Sequence, residues 1–343
     1  MKKLISGLAI TVFMLSISYG NANAAEGGFE ISGFVDSSYV VDDNADTNTF
    51  GLDQVEINIT KEIKDWASLR FDLNHAPNGG GAETADAIVE QGYLTITPPG
   101  GITLTFGKFN APIGFELLDA PDMYQYSHAL VFTNGLPTNL TGLMASGALG
   151  ETIDFSAYVA NGWDNNPDTN KNKTVGGRIG ITPMEGVNLG FSAITGDDSD
   201  QAKENMTVFD IDGTITMIPN LTVGLEFNWG KENKDSSVTS GEDADWFGYL
   251  VMGHYDYSDW GGITVRYDYF DDEDGGRLTR AAAATDNKDV RQAFTVSPTF
   301  VIGDGFGALF EYRHDFSDNK IFDDNGTLVD SNDTFVFEMT YAF

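Results

Sequence analysis

The side chains best suited to act on another molecule are a group of acids and a group of arginines. The acids lie in one long segment between regular elements, and they are Glu116, Asp119 and Asp122. The arginines lie on four separate segments, and they are Arg70, Arg178, Arg266 and Arg313. If acid and base faced each other across water, they would create a transverse field that orders polar solutes and excludes apolar ones. The alternative is that the arginines form ion pairs that stiffen a wall.

Catalytic chemistry has little support in the sequence. The four histidines are scattered along the chain, and they are His75, His128, His254 and His314. A hydrolase nucleophile in a Gly-x-Ser-x-Gly stretch is absent from the sequence, although that turn is one common way to expose a reactive serine. No group of histidines and acids has the spacing of zinc ligands. We therefore predict no enzymatic activity, no cofactor and no metal site.

The large excess of acid restricts the possible partners. Asp and Glu number 52 against 19 Lys and Arg, which gives a formal net charge of −33. Nucleic acid is a poor candidate, because affinity for it comes from cationic side chains that neutralise phosphates. Much of the acid lies in long connections, where it either solvates external loops or binds divalent cations that bridge to anionic lipopolysaccharide. None of the acidic runs has full EF-hand spacing.

In the segments that must position these residues, apolar and polar side chains alternate with a period of two. Phe335, Phe337, Met339, Tyr341 and Phe343 fall on one face of the last segment, and mainly polar residues fall on the other. A pleated strand separates two such sets, whereas a helix does not. The same alternation assigns the four arginines to the polar, inward face, among acids such as Asp72, Glu226, Asp268 and Glu311. About sixteen segments alternate in this way. They lie near residues 29–40, 50–61, 66–75, 88–97, 102–109, 140–149, 152–162, 174–182, 187–195, 206–217, 221–230, 246–256, 262–270, 291–301, 306–315 and 334–343.

The connections between these segments form a short set and a long set. The short connections are rich in Gly, Pro and Asx, and they lie at 62–65, 98–101, 183–186, 218–220, 258–261 and 302–305. The long connections lie at 76–87, 110–139, 163–173, 196–205, 231–245, 271–290 and 316–333. Short turns on one side of a membrane and long loops on the other are typical of outer-membrane barrels. We therefore predict an all-β fold, a transmembrane antiparallel β-barrel of about 16 strands.

The first residues have the features of a secretory signal peptide. Lys2 and Lys3 precede an apolar run from Leu4 to Ile17, and Ala22-Asn23-Ala24 fits the small-x-small cleavage pattern. We expect residues 1–24 to be a signal peptide and residues 25–343 to be the barrel domain. The alternative is an uncleaved anchor at the N-terminus.

One long connection, residues 110–139, is less acidic and more apolar than the others. It carries Leu117, Leu118, Leu130, Val131 and Phe132 among other large apolar residues. A freely solvated loop of this composition is disfavoured, and a connection of roughly thirty residues usually has a function of its own. We expect it to fold inward and pack on the barrel wall, with Glu116, Asp119, Asp122, Tyr124 and Tyr126 at a pore constriction. The alternative is an external lid or a subunit contact.

The stretch from Gly107 to Gly142 also resembles a known family. It contains Gly107-Lys108-Phe109, Pro112-Ile113-Gly114, Asp119-Ala120-Pro121-Asp122 and Thr141-Gly142. A similar succession occurs in the OmpL-like group of β-barrel porins of Gram-negative outer membranes. The resemblance covers about a tenth of the chain, together with the signal peptide, the strand rhythm and the final Phe. It implies an outer-membrane pore and little about the solute.

Three functions remain open at this point. The first is a water-filled channel for passive diffusion of small hydrophilic solutes and ions, with a preference for cations. The second is a substrate-specific channel, for example for sugars, and the third is a surface or structural barrel without a channel. The expected partners are outer-membrane lipids and lipopolysaccharide, the barrel-assembly machinery through Tyr341 and Phe343, and, by analogy with sixteen-stranded porins, two further copies in a homotrimer.

Overall fold

The computed structural model describes residues 28–75, 89–168, 170–197, 205–233, 243–275, 277–278 and 288–343. The predicted signal peptide, residues 1–24, lies outside the described residues. The same holds for the connection at 76–87 and for most of the connections at 196–205 and 231–245.

Sixteen strands form one closed antiparallel barrel. These strands are β1 (Glu30–Asp42), β2 (Thr47–Lys64), β3 (Ala67–His75), β4 (Val89–Ile96), β5 (Thr103–Asn110), β6 (Asn139–Leu149), β7 (Ile153–Ala160), β8 (Thr174–Met184), β9 (Val187–Asp197), β10 (Asn205–Ile218), β11 (Leu221–Glu232), β12 (Ala244–Ser258), β13 (Gly261–Asp272), β14 (Asp289–Gly303), β15 (Phe306–Ser317) and β18 (Ser331–Ala342). The predicted fold class and strand number are confirmed. The prediction did not include the small hairpin between β15 and β18, which is formed by β16 (Phe322–Asp324) and β17 (Thr327–Val329).

The barrel closes where β1 pairs with β18. The register runs from Phe34 opposite Ala342 to Asp42 opposite Thr334. Phe343 extends the pairing, because its N–H donates to the Gly33 carbonyl at 2.9 Å and its carbonyl accepts from the Gly33 N–H at 3.1 Å. Closure leaves no strand edge with unpaired backbone groups, which a membrane interior would not tolerate.

The two faces of each strand differ as the alternating pattern predicts. On β11, Leu225, Phe227 and Trp229 are exposed on the outside, while Glu226 and Asn228 are buried on the inside. Aromatic side chains lie near both ends of the outer surface. Tyr257, Trp260, Phe306 and Tyr341 lie at the end with the short turns, and Tyr249 and Tyr269 stack near the opposite end with ring centroids 5.1 Å apart. This apolar band with aromatic borders is the pattern of a lipid-facing surface.

The short turns are tight because they contain residues that adopt a positive φ. Asn220 between β10 and β11 has φ 63°, and Asp304 between β14 and β15 has φ 50°. Asn and Asp tolerate this conformation better than most residues, which favours tight hairpins.

One connection departs from the predicted alternation of lengths. β1 and β2 are joined by residues 43–46 at the end where the other connections are long, because their pairing continues to Asp42 and Thr47.

No helix within the described residues is long and apolar enough to cross a membrane. The two helical turns that matter below both lie between β5 and β6. They are a 3-10 helix at Ala120–Asp122 and the short helix α1 at Leu130–Gly135.

Candidate functional site

Residues 111–138, here called the β5–β6 segment, contact side chains that face the barrel interior. The segment begins with Pro112-Ile113-Gly114, and Gly114 has φ +89°. A Cβ at this position would also collide with Leu136, near the other end of the segment. Only glycine combines this conformation with this close approach. The Pro-x-Gly part of the sequence motif therefore has a structural reason, since it brings the two ends of the segment together.

Carboxylates on the wall hold the backbone of the segment. Glu226 on β11 accepts from the Phe115 N–H at 2.8 Å, and Asp268 on β13 accepts from the Leu130 N–H at 2.8 Å. Glu311 on β15 accepts from the Tyr126 N–H at 2.9 Å. Buried backbone N–H groups need hydrogen-bond partners. These three acids therefore fix the path of the segment along one side of the interior.

Glu116 and Arg266 form the central ion pair between the segment and the wall. The Arg266 Nη1 lies 2.7 Å from Glu116 Oε1, and its Nε lies 3.0 Å from Asp268 Oδ2. Glu116 also accepts from the Gln125 side chain at 2.8 Å and from the Ala129 N–H at 2.7 Å. Both members of the pair are buried, with Arg266 at 0% relative exposure. We expected Glu116 to present its charge to a pore. The structure instead places its carboxylate between the segment and the barrel wall, where it binds Arg266.

Arg313 has a similar position on β15. Its Nη1 donates to Ser127 Oγ at 3.0 Å and to the His128 carbonyl at 2.9 Å, and its Nη2 lies 2.8 Å from Asp315. We expected an arginine row that faces the segment acids across a gap. Arg266 and Arg313 do not have that arrangement, because they contact the segment directly. Their guanidinium groups instead bind backbone carbonyls of the segment and carboxylates at the contact between the segment and the wall.

The other two predicted arginines pair within the wall. Arg70 on β3 binds Asp72 through Nε at 2.9 Å and keeps 22% of its side chain exposed. Arg178 on β8 is buried and binds Asp212 on β10, with Nη2 at 2.8 Å from Oδ1. For these two residues the structure agrees with the alternative interpretation from the sequence, namely ion pairs that stiffen the barrel.

Apolar contacts complete the docking of the segment. Ala129 and Val131 are buried with Leu250 and Met252 of β12, and Phe115 packs beside them. Leu130, Phe132 and Leu136 belong to a second cluster with Trp246 and Phe270. This explains the apolar composition of the segment, because these side chains leave water when α1 packs on β11 to β14. Thr133 on the same helix remains exposed.

The two predicted tyrosines contact different parts of the wall. The ring of Tyr124 lies 4.7 Å from the His254 ring, and its carbonyl accepts from Thr264 Oγ1 at 2.7 Å. The Tyr126 hydroxyl lies 3.4 Å from the Ser38 hydroxyl on β1. Burial raises the pKa of Tyr126 to about 12, so its phenol is neutral at physiological pH. The two tyrosines therefore contact different strands, Tyr124 beside His254 of β12 and Tyr126 beside Ser38 of β1.

Asp119 and Asp122 lie on the side of the segment near β2 to β4. Burial, followed by the charges of Glu90, Asp122 and Asp72, raises the pKa of Asp119 to about 8. Burial also raises the pKa of Asp122, and Arg70 opposes this shift. Carboxylate oxygens of Glu56, Glu90 and Asp119 lie within 4.8 Å of one another, the only such group of potential metal ligands among the described residues.

The interior contains far more acid than the sequence analysis predicted. Among the described residues, thirteen carboxylates are buried against three arginines. The acids are Asp36, Glu56, Asp72, Glu90, Glu116, Asp210, Asp212, Glu226, Asp268, Asp272, Asp289, Glu311 and Glu338. Alternation placed Asp72, Glu226, Asp268 and Glu311 on the inward face, and the same pattern could have identified most of the others. Glu90 could not be found this way, because the register shifts around it.

Comparison with known proteins agrees with this architecture. The family model described as "Putative beta-barrel porin-2, OmpL-like" matches residues 28–343. No protein with a curated description is similar enough in sequence to be matched.

Several solved structures share the fold at low identity. One is in-vitro folded OmpT, an outer membrane protein of Vibrio cholerae, in a trimer form, with TM-score 0.66, 14% identity, and coverage of 92% of this chain and 99% of that chain. Another is an anion-selective porin from Comamonas acidovorans, with TM-score 0.66, 10% identity, and coverage of 93% and 100%. A third is OmpF of Salmonella typhi in complex with daunomycin, with TM-score 0.64, 12% identity, and coverage of 92% and 98%.

The family match covers nearly the whole described chain, and this closed sixteen-stranded barrel shares its fold with the matched outer-membrane proteins over 92–93% of the chain. Family and fold are those of a channel rather than an enzyme. The chain belongs to the OmpL-like β-barrel porin-2 family, and it is a porin of the bacterial outer membrane.

Proposed function

We propose that this porin is a water-filled diffusion channel for small hydrophilic solutes and ions, and that the β5–β6 segment narrows it. The observation that supports this most directly is the position of the segment contacts. They reach carboxylates on β11, β13 and β15, and through Tyr126 they reach Ser38 on β1. A barrel of sixteen strands is wide enough to keep an aqueous channel beside such a segment, whereas eight strands would be filled by side chains.

We further propose that the channel prefers cations. The excess of buried carboxylates over arginines supports this, as does the formal net charge of −33. Fixed negative charge in a low-dielectric cleft concentrates counter-ions, and added salt weakens the effect as the Debye length shortens. The Comamonas acidovorans structure is titled anion-selective, so the barrel architecture by itself leaves the sign of the preference open.

Reversal potentials across a KCl gradient test both proposals. We expect the native channel to favour K⁺ at low salt, and the preference to fall when Asp119→Asn and Asp122→Asn are combined. Glu116 is left unchanged, because neutralising it would remove one of the carboxylates that balance the buried positive charge of Arg266. The measurement should contain a chelator and be made above pH 8, so that both carboxylates are ionised in the reference channel.

The matched control neutralises two acids that are exposed in the external hairpin, Asp323→Asn and Asp324→Asn. It removes the same charge from outside the barrel, so it should change the preference less. Preference for Cl⁻ in the native channel would contradict the proposed cation selectivity. Equal effects of the two double variants would show that the segment does not lie at the narrowest point.

We propose that the assembled form is a homotrimer, with outer-membrane lipid and lipopolysaccharide around it. The trimer form of the Vibrio cholerae protein supports this by similarity of fold, and the apolar outer surface supports contact with lipid. Exposed acids such as Asp323 and Asp324 could bind lipopolysaccharide through divalent cations. Chemical cross-linking in intact outer membranes should give a trimer band, and a pattern of monomers only would exclude the trimer.

Tyr341 and Phe343 are proposed to be recognised by the barrel-assembly machinery. Both rings point outward, and Phe343 also completes the hydrogen bonds between β18 and β1 at Gly33. Deleting Phe343 is expected to reduce the folded porin in the outer membrane severalfold, because two closing hydrogen bonds and an interfacial aromatic ring are lost. Heat-modifiable mobility on gels measures the folded fraction. Phe343→Tyr should assemble normally, since it keeps the ring and the backbone, and equal assembly of the deletion would refute the proposal.

A further inference from the structure

Three carboxylates from distant parts of the sequence meet at the base of the β5–β6 segment. Glu56 lies on β2, Glu90 lies on β4, and Asp119 precedes the 3-10 helix of the segment. One carboxylate oxygen from each lies within 4.8 Å of the other two. Three like charges at this separation repel strongly when they are ionised, so the arrangement needs a compensating positive group or protons.

A β-bulge contributes to the meeting of these residues. Along β3 and β4, Asp72 is paired with Gln91, but the next residue, Leu73, is paired with Val89. Glu90 is therefore the extra residue of a bulge, and both Glu90 and Gln91 are buried. Bulges redirect side chains in this way. Without it, Glu90 and Gln91 would point to opposite faces of the sheet, and one of them would face the membrane.

Glu56 supplies an independent indication of a ligand. It is 1% exposed, and neither of its carboxylate oxygens has a hydrogen-bond partner among the described residues. A third unsatisfied oxygen belongs to Asp119, and a fourth to Asn74, which is paired directly opposite Glu56 on β3. The amide of Asn74 donates to Glu90 at 2.6 Å, so its free carbonyl oxygen lies beside the cluster. Glu90 differs from the others, because both of its oxygens accept from side-chain amides, those of Asn74 and Asn110. Buried polar atoms normally have partners, and a cation would satisfy the oxygens of Glu56, Asp119 and Asn74 that have none.

The neighbouring arginine compensates this cluster only in part. Arg70 is the base that acts on Asp119, but its Nε is bound to Asp72 at 2.9 Å. We propose that Glu56, Glu90 and Asp119 bind one divalent cation of the hard, oxygen-seeking kind, Ca²⁺, with the Asn74 carbonyl oxygen as a further ligand. Water would complete the coordination, since Ca²⁺ takes about 6–8 oxygen ligands.

The ligand set favours Ca²⁺ over Mg²⁺. Three carboxylates and an amide carbonyl supplied by the protein form the kind of oxygen site that Ca²⁺ occupies with flexible geometry. Mg²⁺ demands near-ideal octahedral geometry and usually keeps several waters, with one or two carboxylates as ligands. The carboxylate oxygens of the cluster lie within 4.8 Å of one another, so a single ion can contact all three residues. The bound ion would link β2 and β4 to the β5–β6 segment and hold the segment on the side opposite to Arg266.

Calcium titration of the full-length porin in detergent tests this proposal. The protein is stripped with chelator, desalted and titrated with CaCl₂ in a calorimeter, with thermal unfolding followed in parallel. We expect one saturable site, and a thermal midpoint that rises with calcium because the ion binds only the folded state. Glu56→Gln and Asp119→Asn should each weaken binding by at least about tenfold, since loss of even an outer partner of a metal ligand costs about ten- to a hundredfold.

Asp210→Asn is the matched control. Asp210 is a buried carboxylate of β10, outside the cluster, with one oxygen that also lacks a partner. Its substitution should leave calcium affinity unchanged. If Glu56→Gln does not fold, Asp119→Asn still tests the site, because Asp119 lies in the segment and not in a strand. Absence of saturable binding would overturn the proposal and indicate that the carboxyl groups share protons instead. Equal weakening by Asp210→Asn would also overturn it, because that result would show that loss of any buried negative charge weakens calcium binding.

Discussion

Replacing Arg266 with methionine is expected to free the β5–β6 segment from the barrel wall and to raise the single-channel conductance. The substitution keeps the apolar stem of the side chain but leaves Glu116 and Asp268 buried without their cation. Breaking a buried ion pair by removing one partner costs about 3–5 kcal/mol. This is a large fraction of the stability of a typical domain. Because the segment has little regular structure of its own, its docking should be lost before the barrel itself unfolds.

Arg178→Met is the control that separates docking from barrel stability. Arg178 is also buried and also binds a carboxylate, Asp212, but both residues belong to the wall. Its substitution should lower the thermal midpoint without raising the conductance. Planar-bilayer recordings and heat-modifiable gel mobility measure the two effects separately. A conductance that stays unchanged in Arg266→Met would show that the ion pair does not hold the segment in the channel.

A charge on the buried side of α1 should have an equally large effect. Val131 is 0% exposed and packs with Leu250 and Met252. Val131→Asp places a carboxylate in this apolar contact, where an unpaired charge costs several kcal/mol or forces the helix to leave. We expect the helix to undock, with a higher conductance and faster cleavage of the segment by chymotrypsin at its Phe and Tyr residues.

Thr133→Asp provides the matched control for this charge. Thr133 lies on the same helix two residues later and is exposed. The added carboxylate remains hydrated there, so docking, conductance and protease resistance should stay close to those of the native porin. Similar behaviour of the two variants would mean that α1 is not packed against β12. A difference confined to Val131→Asp would support the docked position of the segment.

Three kinds of contact hold the β5–β6 segment, and both predictions depend on them. The wall carboxylates that accept from Phe115, Tyr126 and Leu130 fix the backbone of the segment. The apolar side of α1 contributes packing, and Arg266 neutralises the acid that is buried between them. Removing any one of these contributions should weaken docking, because the segment has only a 3-10 helix and one short α-helix as regular structure of its own.

Much of the architecture follows from the sequence alone. The alternation around residues such as Leu225, Glu226 and Phe227 predicts a strand with one lipid face and one interior face, because successive side chains of a strand point to opposite sides. The turn residues, such as Asn220 and Asp304, predict where strands reverse. These signals are local, so they can be interpreted without knowing the partners of each strand. The same reasoning assigned Arg70, Arg178, Arg266 and Arg313 to the interior.

The partners of those interior residues were decided only by the tertiary structure. Alternation shows that Arg266 faces inward, but it does not show that Glu116, which is 150 positions earlier in the chain, lies 2.7 Å away. The pairing depends on the closure of sixteen strands and on the path of the β5–β6 segment. For the same reason the sequence suggested charges that face each other across water, whereas Arg266 and Arg313 lie beneath the segment.

The cluster of Glu56, Glu90 and Asp119 is the clearest example of a group of residues that the sequence alone did not bring together. Glu56 follows the alternation, but Glu90 faces inward only because a bulge in β4 adds a residue to the register. Asp119 reaches the cluster from a segment that contains no strand. Strand pairing, a bulge and an irregular connection must all be in place before the three carboxylates meet. A local pattern determines which face a side chain occupies, and only the assembled barrel determines which other side chains it meets there.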